Sequence, residues 1–300
     1  MSGVLETTAV PAGAIVKARA FLELGKLRLS SLAIFAVVAG LYLGTPSGIS
    51  VDTALLVSTT IGTLLIAVAG NALNMLLERD VDPLMERTRG RPLPTRRLTP
   101  REVRIFGVAC AAIGIFVLAV STNWLATGLC ALVLVTYVFV YTPLKRVSEF
   151  NTIVGAVPGA LPPVVGYVAA KGMIDVAAAV LFAILFLWQI PHFLAISWRY
   201  RHDYARGGMK MLAVRDVEGR MIRRQMLVYT FALIAVSMLP YRFAMTGGIY
   251  LASAALLGFV FAVPVFCAAV LRWEAAVRQT FVVSIIYLPL LLGVMVLDRT

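Results

Sequence analysis

The sequence predicts an all-α membrane protein, a polytopic bundle of nine transmembrane helices around a central cavity, and three observations support this prediction. Of its 300 residues, 60% are hydrophobic and 14% are charged, whereas about 25% of the residues of a soluble domain are charged. Apolar runs long enough to cross a bilayer recur from one end of the chain to the other. The net charge of +12 is concentrated in alternate connections between these runs, which is the pattern that membrane topology produces.

Hydropathy places the nine predicted spans. They lie near 29–45, 54–77, 105–121, 124–142, 151–170, 175–197, 225–241, 248–270 and 279–297. The fifth is the weakest because Pro158, Pro162 and Pro163 interrupt it, although a membrane helix tolerates proline where neighbouring groups satisfy the freed carbonyls. We divide the chain into an N-terminal cytoplasmic segment, 1–28, and a single transmembrane domain, 29–300.

Positively charged residues predict which ends of the spans face the cytoplasm. Of the 27 lysines and arginines, 24 lie in the N-terminal segment and in the connections after spans two, four, six and eight. The positive-inside rule makes this side cytoplasmic, including the large polar loops after spans two and six, and it places the C-terminus outside. A bacterial plasma (inner) membrane is the simplest location. Because the lipid bilayer accounts for the charge asymmetry, the net charge gives no reason to expect nucleic acid as a partner.

A polar amide and two carboxylates mark the end of the second span. Asn74, Glu78 and Asp82 are four residues apart, so on a helix they share one face at intervals of about 6 Å along the axis. Oxygen ligands of this kind suit Mg²⁺, which usually keeps several waters and bridges to substrate phosphates. A solvated helix end would explain a lone carboxylate, but Asn71 and Asn74 lie within the span, where polar groups are costly and usually functional. We therefore predict that Asn74, Glu78 and Asp82 bind Mg²⁺.

Basic residues surround this row of oxygen ligands. The segment from residue 79 to residue 91 contains four arginines, Arg79, Arg87, Arg89 and Arg91. Membrane topology alone would explain each of them. Together with the carboxylates they indicate anion binding, since guanidinium groups bind the phosphate oxygens that a metal leaves open. Lys145, in the stretch Y-T-P-L-K-R that closes span four, adds a point charge on the same side. We predict that Arg87, Arg91 and Lys145 bind the phosphate groups of a substrate.

Other polar side chains follow in spans four to six and in the loop after span six. Tyr141 and Asn151 flank Lys145 at the cytoplasmic face, whereas the glycines of span five are expected to serve helix packing. The stretch W-Q-I-P-H-F in span six contains Gln189 and His192, and Tyr200 and Asp203 follow it. A histidine in an apolar segment is either a hydrogen-bonded core residue or a functional group, and the sequence leaves both interpretations open for His192.

Several of these motifs resemble a known family. The pattern N-x-x-x-E-x-x-x-D followed by M-x-R-T-x-x-R-P-L-P, from Asn74 to Pro94, resembles the first signature of the intramembrane prenyltransferases named after the 4-hydroxybenzoate polyprenyltransferase. The variant E-R-D-x-D, the stretch Y-T-P-x-K-R and, most selectively, W-Q-x-P-H-F with a downstream D-Y and M-L are similar to the protohaem IX farnesyltransferase (haem O synthase) branch. The resemblance covers essentially the whole chain.

The resemblance implies a reaction and a set of roles. A Mg²⁺-bound farnesyl diphosphate would donate its farnesyl group to the vinyl group of protohaem IX (haem B), giving haem O and diphosphate, with haem A synthase or terminal oxidase assembly factors as partners that receive the product. His192 could then ligate or orient the haem iron, or shuttle a proton. The expected catalytic residues are Asn74, Glu78, Asp82 and Asp203; the diphosphate-binding residues are Arg87, Arg91 and Lys145; and the residues at the haem or cavity are Asn71, Tyr141, Asn151, Gln189, His192 and Tyr200.

Two alternatives remain open at the level of sequence. One is a prenyltransferase of the same superfamily with another acceptor, such as an aromatic acid, a quinone precursor or a chlorin. The other is an ion-coupled membrane transporter, because broken helices and intramembrane polar groups are also typical of transporters. The position of the polar residues distinguishes a transporter from a prenyltransferase. Transport sites lie near the bilayer midplane, whereas these residues cluster at one membrane face.

Overall fold

A computed structural model describes residues 13–272 and 274–300. Its regular structure is helical, and the only β feature among the described residues is an isolated bridge between Thr246 and Arg299. The α-helices are α1 Ala14–Gly25, α2 Leu27–Gly44, α3 Thr53–Leu77, α4 Pro100–Ser121, α5 Trp124–Val135, α6 Thr142–Leu144, α7 Asn151–Ala160, α8 Pro162–Lys171, α9 Val176–Arg199, α10 Arg201–Arg206, α11 Leu212–Arg215, α12 Arg220–Ser237, α13 Leu239–Arg242, α14 Gly248–Ala269 and α15 Glu274–Leu297. A 3-10 helix, Asp82–Leu84, follows α3, and a π-helix, Thr136–Tyr141, joins α5 to α6.

The all-helical membrane fold predicted from sequence is confirmed. Eight helical segments of the described chain are long and apolar enough to cross a membrane, and a ninth is obtained if α1 and the residues Ser30–Gly44, which meet at 52°, are counted as one span. The total of nine therefore stays a prediction. Helix α1 lies inside the predicted N-terminal segment 1–28, of which residues 1–12 lie outside the described residues. Ala20 and Leu24 of α1 are fully buried. The N-terminal segment therefore packs against the bundle as well as carrying positive charge.

The helices form a closed ring in which each packs against its neighbours. Going round, α2 contacts α3, α3 contacts α4, α4 contacts α5, and α5 contacts both α7 and α8. The second half continues through α9, α12, α14 and α15, and α15 returns to α2. The connection after α3, the end of α6 and the connection after α9 lie at the same end of the bundle. At this end Lys145, which follows α6, donates a hydrogen bond to Glu78, which follows α3.

Proline breaks the fifth span where the sequence predicts a weak point. Helix α7 ends at Ala160, Leu161 lies between the two helices, and α8 begins at Pro162. Glycine then allows α8 to approach α2 closely, since a Cβ on Gly166 would lie 1.9 Å from the carbonyl oxygen of Val37 and one on Gly40 would lie 2.0 Å from that of Pro163. The packing role expected for Gly166 is therefore confirmed, and a pair of backbones in contact stabilises a membrane bundle through dispersion.

The loop between α3 and α4 is folded by its own hydrogen bonds. The amides of Thr88 and Arg89 donate to the carbonyl oxygen of Met85, and the amide of Arg91 donates to that of Thr88. Thr99 and Glu102 then form a reciprocal capping box at the start of α4. These contacts give the arginines of the loop defined positions at the end of the bundle.

Candidate active site

Asn74, Glu78 and Asp82 keep the predicted register although the α-helix ends before the last two of them. Helix α3 stops at Leu77, where the predicted span 54–77 also ends. Helical hydrogen bonds nevertheless continue, from the amide of Glu78 to the carbonyl oxygen of Asn74 at 3.0 Å and from that of Asp82 to Glu78 at 2.9 Å. All three side chains are buried, with at most 3% of their surface exposed. Pro83 lies in the 3-10 helix that follows.

Two cations neutralise the two carboxylates of this row. The Lys145 ammonium lies 2.8 Å from Glu78 Oε1, and Arg91 Nη1 donates to both oxygens of Asp82, at 2.7 and 2.8 Å. Arg91 also approaches Glu78 Oε2 at 3.6 Å. Buried ion pairs cost desolvation energy that their attraction does not always offset, so a function is a better reason than stability for placing four charges here.

Burial and the neighbouring charges together shift the pKa values of the two carboxyls in opposite directions. Burial alone would raise the pKa of Glu78, but Lys145 and Arg91 outweigh it and hold that pKa below its ordinary value. For Asp82, burial is the stronger effect and raises the pKa, although Arg91 opposes the shift. The ionised form of Glu78 therefore depends on Lys145 and Arg91, because burial alone would favour its protonated form.

Lys26 places a further amino group at the cluster. It stands between α1 and α2 with φ 45° and ψ 47°, a left-handed conformation that is uncommon for a residue other than glycine. Its amino group is partly buried and interacts electrostatically with Arg91, Lys145 and Glu78. Within the part of the chain that the structure describes, no carboxylate forms an ion pair with it. We had counted Lys26 only as a topological signal.

Asn71 holds this break between α1 and α2 in place. Its Nδ2 donates to the carbonyl oxygen of Gly25 at 3.1 Å and to Ser30 Oγ at 3.3 Å. Asn71 thus has a structural contact on each side of Lys26, and it does not contact the carboxylate row directly. The role at the haem or cavity that we predicted for Asn71 finds no support in these contacts.

The loop after α9 is joined to the loop after α3 by Asp203. Its two carboxylate oxygens accept the backbone N–H groups of Glu86 and Arg87, each at 3.0 Å, and Arg206 pairs with the same carboxylate. These backbone amides hold the pKa of Asp203 below its ordinary value, against the opposing effect of desolvation. We predicted Asp203 to assist catalysis from the opposite loop, but the structure gives it a positioning contact with the first loop.

Arg87 lies where these two loops meet. Its guanidinium carbon is 5.4 Å from the ring centre of Tyr200 and 5.7 Å from that of Tyr204, distances at which a cation attracts an aromatic face. Tyr200 is therefore a support for Arg87 in this structure. Among the described residues, the Arg87 guanidinium has no carboxylate partner. A cluster of buried apolar side chains, Val81, Met85, Met209 and Met211, packs beneath this junction.

A small pocket adjoins the cation cluster. It is lined by Tyr141, Thr152, Gly155, Phe193, Ile196, Tyr204 and Met211. The Lys145 ammonium lies 4.6 Å from the ring centre of Tyr141, so this ring connects the pocket with the charged site. A Cβ on Gly155 would lie 2.4 Å from that ring, which explains why the position next to Tyr141 is a glycine.

Asn151 and Gln189 serve the scaffold. The Nδ2 of Asn151 donates to the carbonyl oxygens of Ser148 and Lys210 and so connects the start of α7 with the loop after α9. The Nε2 of Gln189 donates to the carbonyl oxygens of Ala156 and Leu185 between α7 and α9. Both side chains are buried, and neither lines the pocket, so their predicted contact with a haem or cavity is unsupported.

His192 lies between α9 and α15 with one ring nitrogen engaged. Ser284 Oγ donates its proton to the carbonyl oxygen of Phe281 at 2.7 Å. Because a hydroxyl has one proton, the 2.7 Å contact between Ser284 Oγ and His192 Nδ1 requires Nδ1 to be the donor. The Nε2 atom then carries the lone pair, and no hydrogen bond between described residues uses it. The imidazole also packs against the rings of Trp188 and Phe281, with centroids 4.9 and 5.2 Å away.

Some contacts near the site were not predicted from the sequence. Asp80 lies on another face, where it pairs with Arg146 in an exposed contact. Lys26, Thr142, Tyr204 and Ser284 all contribute to the contacts described and were not singled out. A lysine that precedes a span resembles any topological charge, and a single threonine or serine in an apolar run carries no pattern that identifies its partner.

The donor set fits a hard cation. Among the described residues, no group of three His, Cys, Asp or Glu side chains is arranged to hold a metal ion, so a metal at this end of the bundle would need the Asn74 amide beside Glu78 and Asp82. Two carboxylates and an amide oxygen, all buried, are ligands that Mg²⁺ accepts.

Comparisons with known proteins identify the family of the chain. The sequence model of the UbiA prenyltransferase family matches residues 33–291. A protein described as protoheme IX farnesyltransferase from Solibacter usitatus (strain Ellin6076) is 43% identical over 288 residues, which cover 94% of this chain and 99% of the relative.

Two solved structures share the fold at low sequence identity. A digeranylgeranylglyceryl phosphate synthase structure has a TM-score of 0.78 at 15% identity and covers 94% of this chain and 98% of its own. A UbiA homolog from Archaeoglobus fulgidus, bound to DMAPP and Mg²⁺, has a TM-score of 0.63 at 16% identity and covers 92% of this chain and 98% of its own.

Proposed function

Because the chain belongs to the UbiA prenyltransferase family, we propose that it transfers the farnesyl group of farnesyl diphosphate to the vinyl group of protohaem IX, giving haem O and diphosphate. The name of the relative that is 43% identical over nearly its whole length supports the choice of donor and acceptor. The observation that carries the donor half is the excess of positive charge at the site. Glu78 and Asp82 pair with Lys145 and Arg91.

Arg87 provides the excess, and the amino group of Lys26 can add to it by taking up a proton when an anion binds. Neither side chain has a carboxylate partner in the described part of the chain. A polyanion such as a diphosphate would neutralise this excess positive charge, because charge-assisted hydrogen bonds to phosphate are among the strongest that these side chains make. The site lies at one end of the bundle beside apolar helices. A farnesyl chain could therefore stay in the bilayer while its diphosphate meets the cations, which favours an enzyme of lipid-like substrates over a midplane transporter.

Asn74, Glu78 and Asp82 are the residues that would hold Mg²⁺. The Archaeoglobus fulgidus homolog, which shares this fold, is bound to DMAPP and Mg²⁺, and this supports the cofactor assignment. When bound, Mg²⁺ supplies charge that stabilises a departing diphosphate. The chain's own contribution is the arrangement of the oxygen ligands and of the cations around them.

The residues of the site can support cleavage of the allylic carbon–oxygen bond. Arg87, Arg91 and Lys145 would hold the diphosphate as the bond breaks and its electron pair moves to the leaving oxygen. The farnesyl cation adds to the terminal vinyl carbon, water adds to the other vinyl carbon, and one proton is released. A hydroxyethylfarnesyl group results, and the products balance as haem O, diphosphate and a proton. The pocket beside Lys145, which Tyr141, Phe193 and Tyr204 help to line, would shield the farnesyl cation from bulk water until the acceptor reacts.

The decisive experiment is the identification of the haem product. We expect membranes that contain the protein, supplied with farnesyl diphosphate and haem B, to yield a new haem species heavier by a farnesyl unit plus water. Mass spectrometry of haem extracted with and without the protein measures it. If diphosphate is released but the haem is unchanged, another acceptor such as a quinone precursor is favoured. If neither product forms, the prenyltransferase proposal fails.

His192 is our candidate contact with the iron of the acceptor. A histidine that ligates a metal usually donates its other ring N–H to a neighbouring group, and the hydrogen bond to Ser284 has this form. We expect His192→Gly to lose the optical spectrum of histidine-ligated haem B and added imidazole to restore it. Titration of the purified protein with haem B, followed in the visible spectrum, measures this. His202→Gly, which removes the exposed histidine of α10, is the control, and an unchanged spectrum in His192→Gly would reject the contact.

The membrane side and the partners also belong to this proposal. The asymmetry of lysine and arginine supports a cytoplasmic active site in a bacterial inner membrane. Haem O leaves the site as an apolar molecule, so a haem A synthase or a terminal oxidase assembly factor in the same membrane is the expected recipient.

A further inference from the structure

We propose that Thr142 is a positioning residue that fixes the orientation of the Asn74 amide, so that the oxygen of this amide serves as the metal ligand. This inference rests on the proposed function and adds a residue to its donor site. Three groups carry it: the buried Asn74 amide at the end of α3, the buried Thr142 hydroxyl at the start of α6, and the backbone carbonyl of Tyr137 in the π-helix.

The proton of the Thr142 hydroxyl is already used. Thr142 Oγ1 donates to the carbonyl oxygen of Tyr137 at 2.8 Å, and a hydroxyl has a single proton. Thr142 Oγ1 can therefore only accept from Asn74, and the atom of Asn74 that faces it at 3.0 Å is Nδ2. If the amide were flipped, two acceptor oxygens would face each other in a buried site. The hydrogen-bond network thus decides the amide orientation and leaves Asn74 Oδ1 without a hydrogen bond among the described residues.

The π-helix is what brings Thr142 to this place. The backbone N–H of Thr142 donates to Tyr137, five residues earlier, where an α-helix would use the residue four earlier. One residue is thereby inserted, and it rotates everything after it by about 100° relative to a continuous α-helix. Pro143 follows and has no backbone N–H to donate. The same widened turn directs Lys145 toward Glu78, so one local feature places both a metal-ligand support and a diphosphate cation.

The test measures metal binding without turnover. Purified protein in detergent is titrated with Mn²⁺ in the presence of inorganic diphosphate, and free Mn²⁺ is followed by electron paramagnetic resonance. We expect Thr142→Val to weaken Mn²⁺ binding by about 10- to 100-fold, the usual effect of losing a group that orients a metal ligand. Thr142→Ser, which keeps the hydroxyl, should bind within about twofold of the unmodified protein.

The chain offers a matched control for the loss of a buried threonine hydroxyl. Thr127 lies in the same membrane span, is buried, and donates only to the carbonyl oxygen of Asn123 in its own helix. Thr127→Val should leave Mn²⁺ binding unchanged. Thr142→Ala provides a second removal of the hydroxyl with a smaller side chain, should the valine variant fail to insert.

A double substitution separates an effect through Asn74 from a general one. If Thr142 acts through this amide, Thr142→Val should add nothing to the loss already caused by Asn74→Ala. Full Mn²⁺ affinity in both Thr142→Val and Thr142→Ala, or an equal further loss in the Asn74→Ala background, would overturn the inference. Unmodified protein that makes haem O but does not bind Mn²⁺ with diphosphate would reject the ligand role and leave the proposed function standing.

Discussion

Replacement of Asp82 by alanine should abolish farnesyl transfer while the protein still inserts into the membrane. Asp82 is fully buried and accepts two hydrogen bonds from Arg91. Its loss removes a predicted Mg²⁺ ligand and also leaves Arg91 with only its longer contact to Glu78, at 3.6 Å. We expect turnover to fall by at least about 10²- to 10³-fold, the effect of removing one group that stabilises charge in a transition state. Release of diphosphate from farnesyl diphosphate and formation of haem O are the two measurements.

Stability has to be separated from chemistry in this experiment. Removing one partner of a buried ion pair costs about 3–5 kcal/mol, so Asp82→Asn, which keeps the size of the side chain, should accompany the alanine variant. Asp80→Asn is the matched control, because Asp80 lies in the same loop and pairs with an arginine, but in an exposed contact. An exposed pair contributes about 0–1 kcal/mol, and turnover should be nearly unchanged. Normal turnover in Asp82→Ala would refute the metal assignment.

Replacement of Asp203 by asparagine should weaken the binding of farnesyl diphosphate without changing the response to Mg²⁺. An asparagine can accept one of the two backbone N–H groups of Glu86 and Arg87, but its NH₂ group faces the other as a second donor. Each hydrogen bond to a charged group contributes about 1.5–3 kcal/mol. We expect the KM for farnesyl diphosphate to rise about 10-fold or more, which is the equivalent of 1.4 kcal/mol, because Arg87 is no longer held at the site.

The Mg²⁺ response distinguishes the two roles considered for Asp203. If Asp203 were itself a metal ligand, the Mg²⁺ concentration for half-maximal activity would rise with the KM, whereas a positioning residue leaves it unchanged. Asp216→Asn is the control, since Asp216 is also a buried carboxylate that accepts two backbone N–H groups, from Arg220 and Ile222. A rise in the Mg²⁺ requirement of Asp203→Asn would restore the catalytic assignment made from sequence.

Hydropathy and spacing predicted much of the architecture. The helical spans lie close to their predicted positions, for example Thr53–Leu77 for 54–77 and Gly248–Ala269 for 248–270. The proline-interrupted fifth span breaks where the prolines stand. These features depend on local backbone chemistry and on the length of apolar runs, both of which a sequence displays directly.

The partners of the polar residues could not be predicted in the same way. Asn71 and Asn74 are three residues apart on one helix, yet Asn71 fastens the break beside Lys26 and Asn74 contacts Thr142. Asp203 is predicted to serve the chemistry, and in the structure its carboxylate accepts the backbone N–H groups of Glu86 and Arg87, which lie more than 100 residues away in sequence. A hydrogen bond across this distance depends on how helices pack, and residue type does not reveal it.

By itself, the sequence determined the membrane-spanning helices, the charged end of the bundle and the register of Asn74, Glu78 and Asp82. Periodicity and charge asymmetry are sufficient for these because they follow from helix geometry and from the bilayer. Only the tertiary structure decided which cations neutralise the carboxylates, that Lys26 lies beside them, and that Asp203 and Thr142 contact residues of other segments. The physical reason is that buried charges and amides take their partners from whichever helices pack beside them, and the ring closes through contacts between segments far apart in the chain.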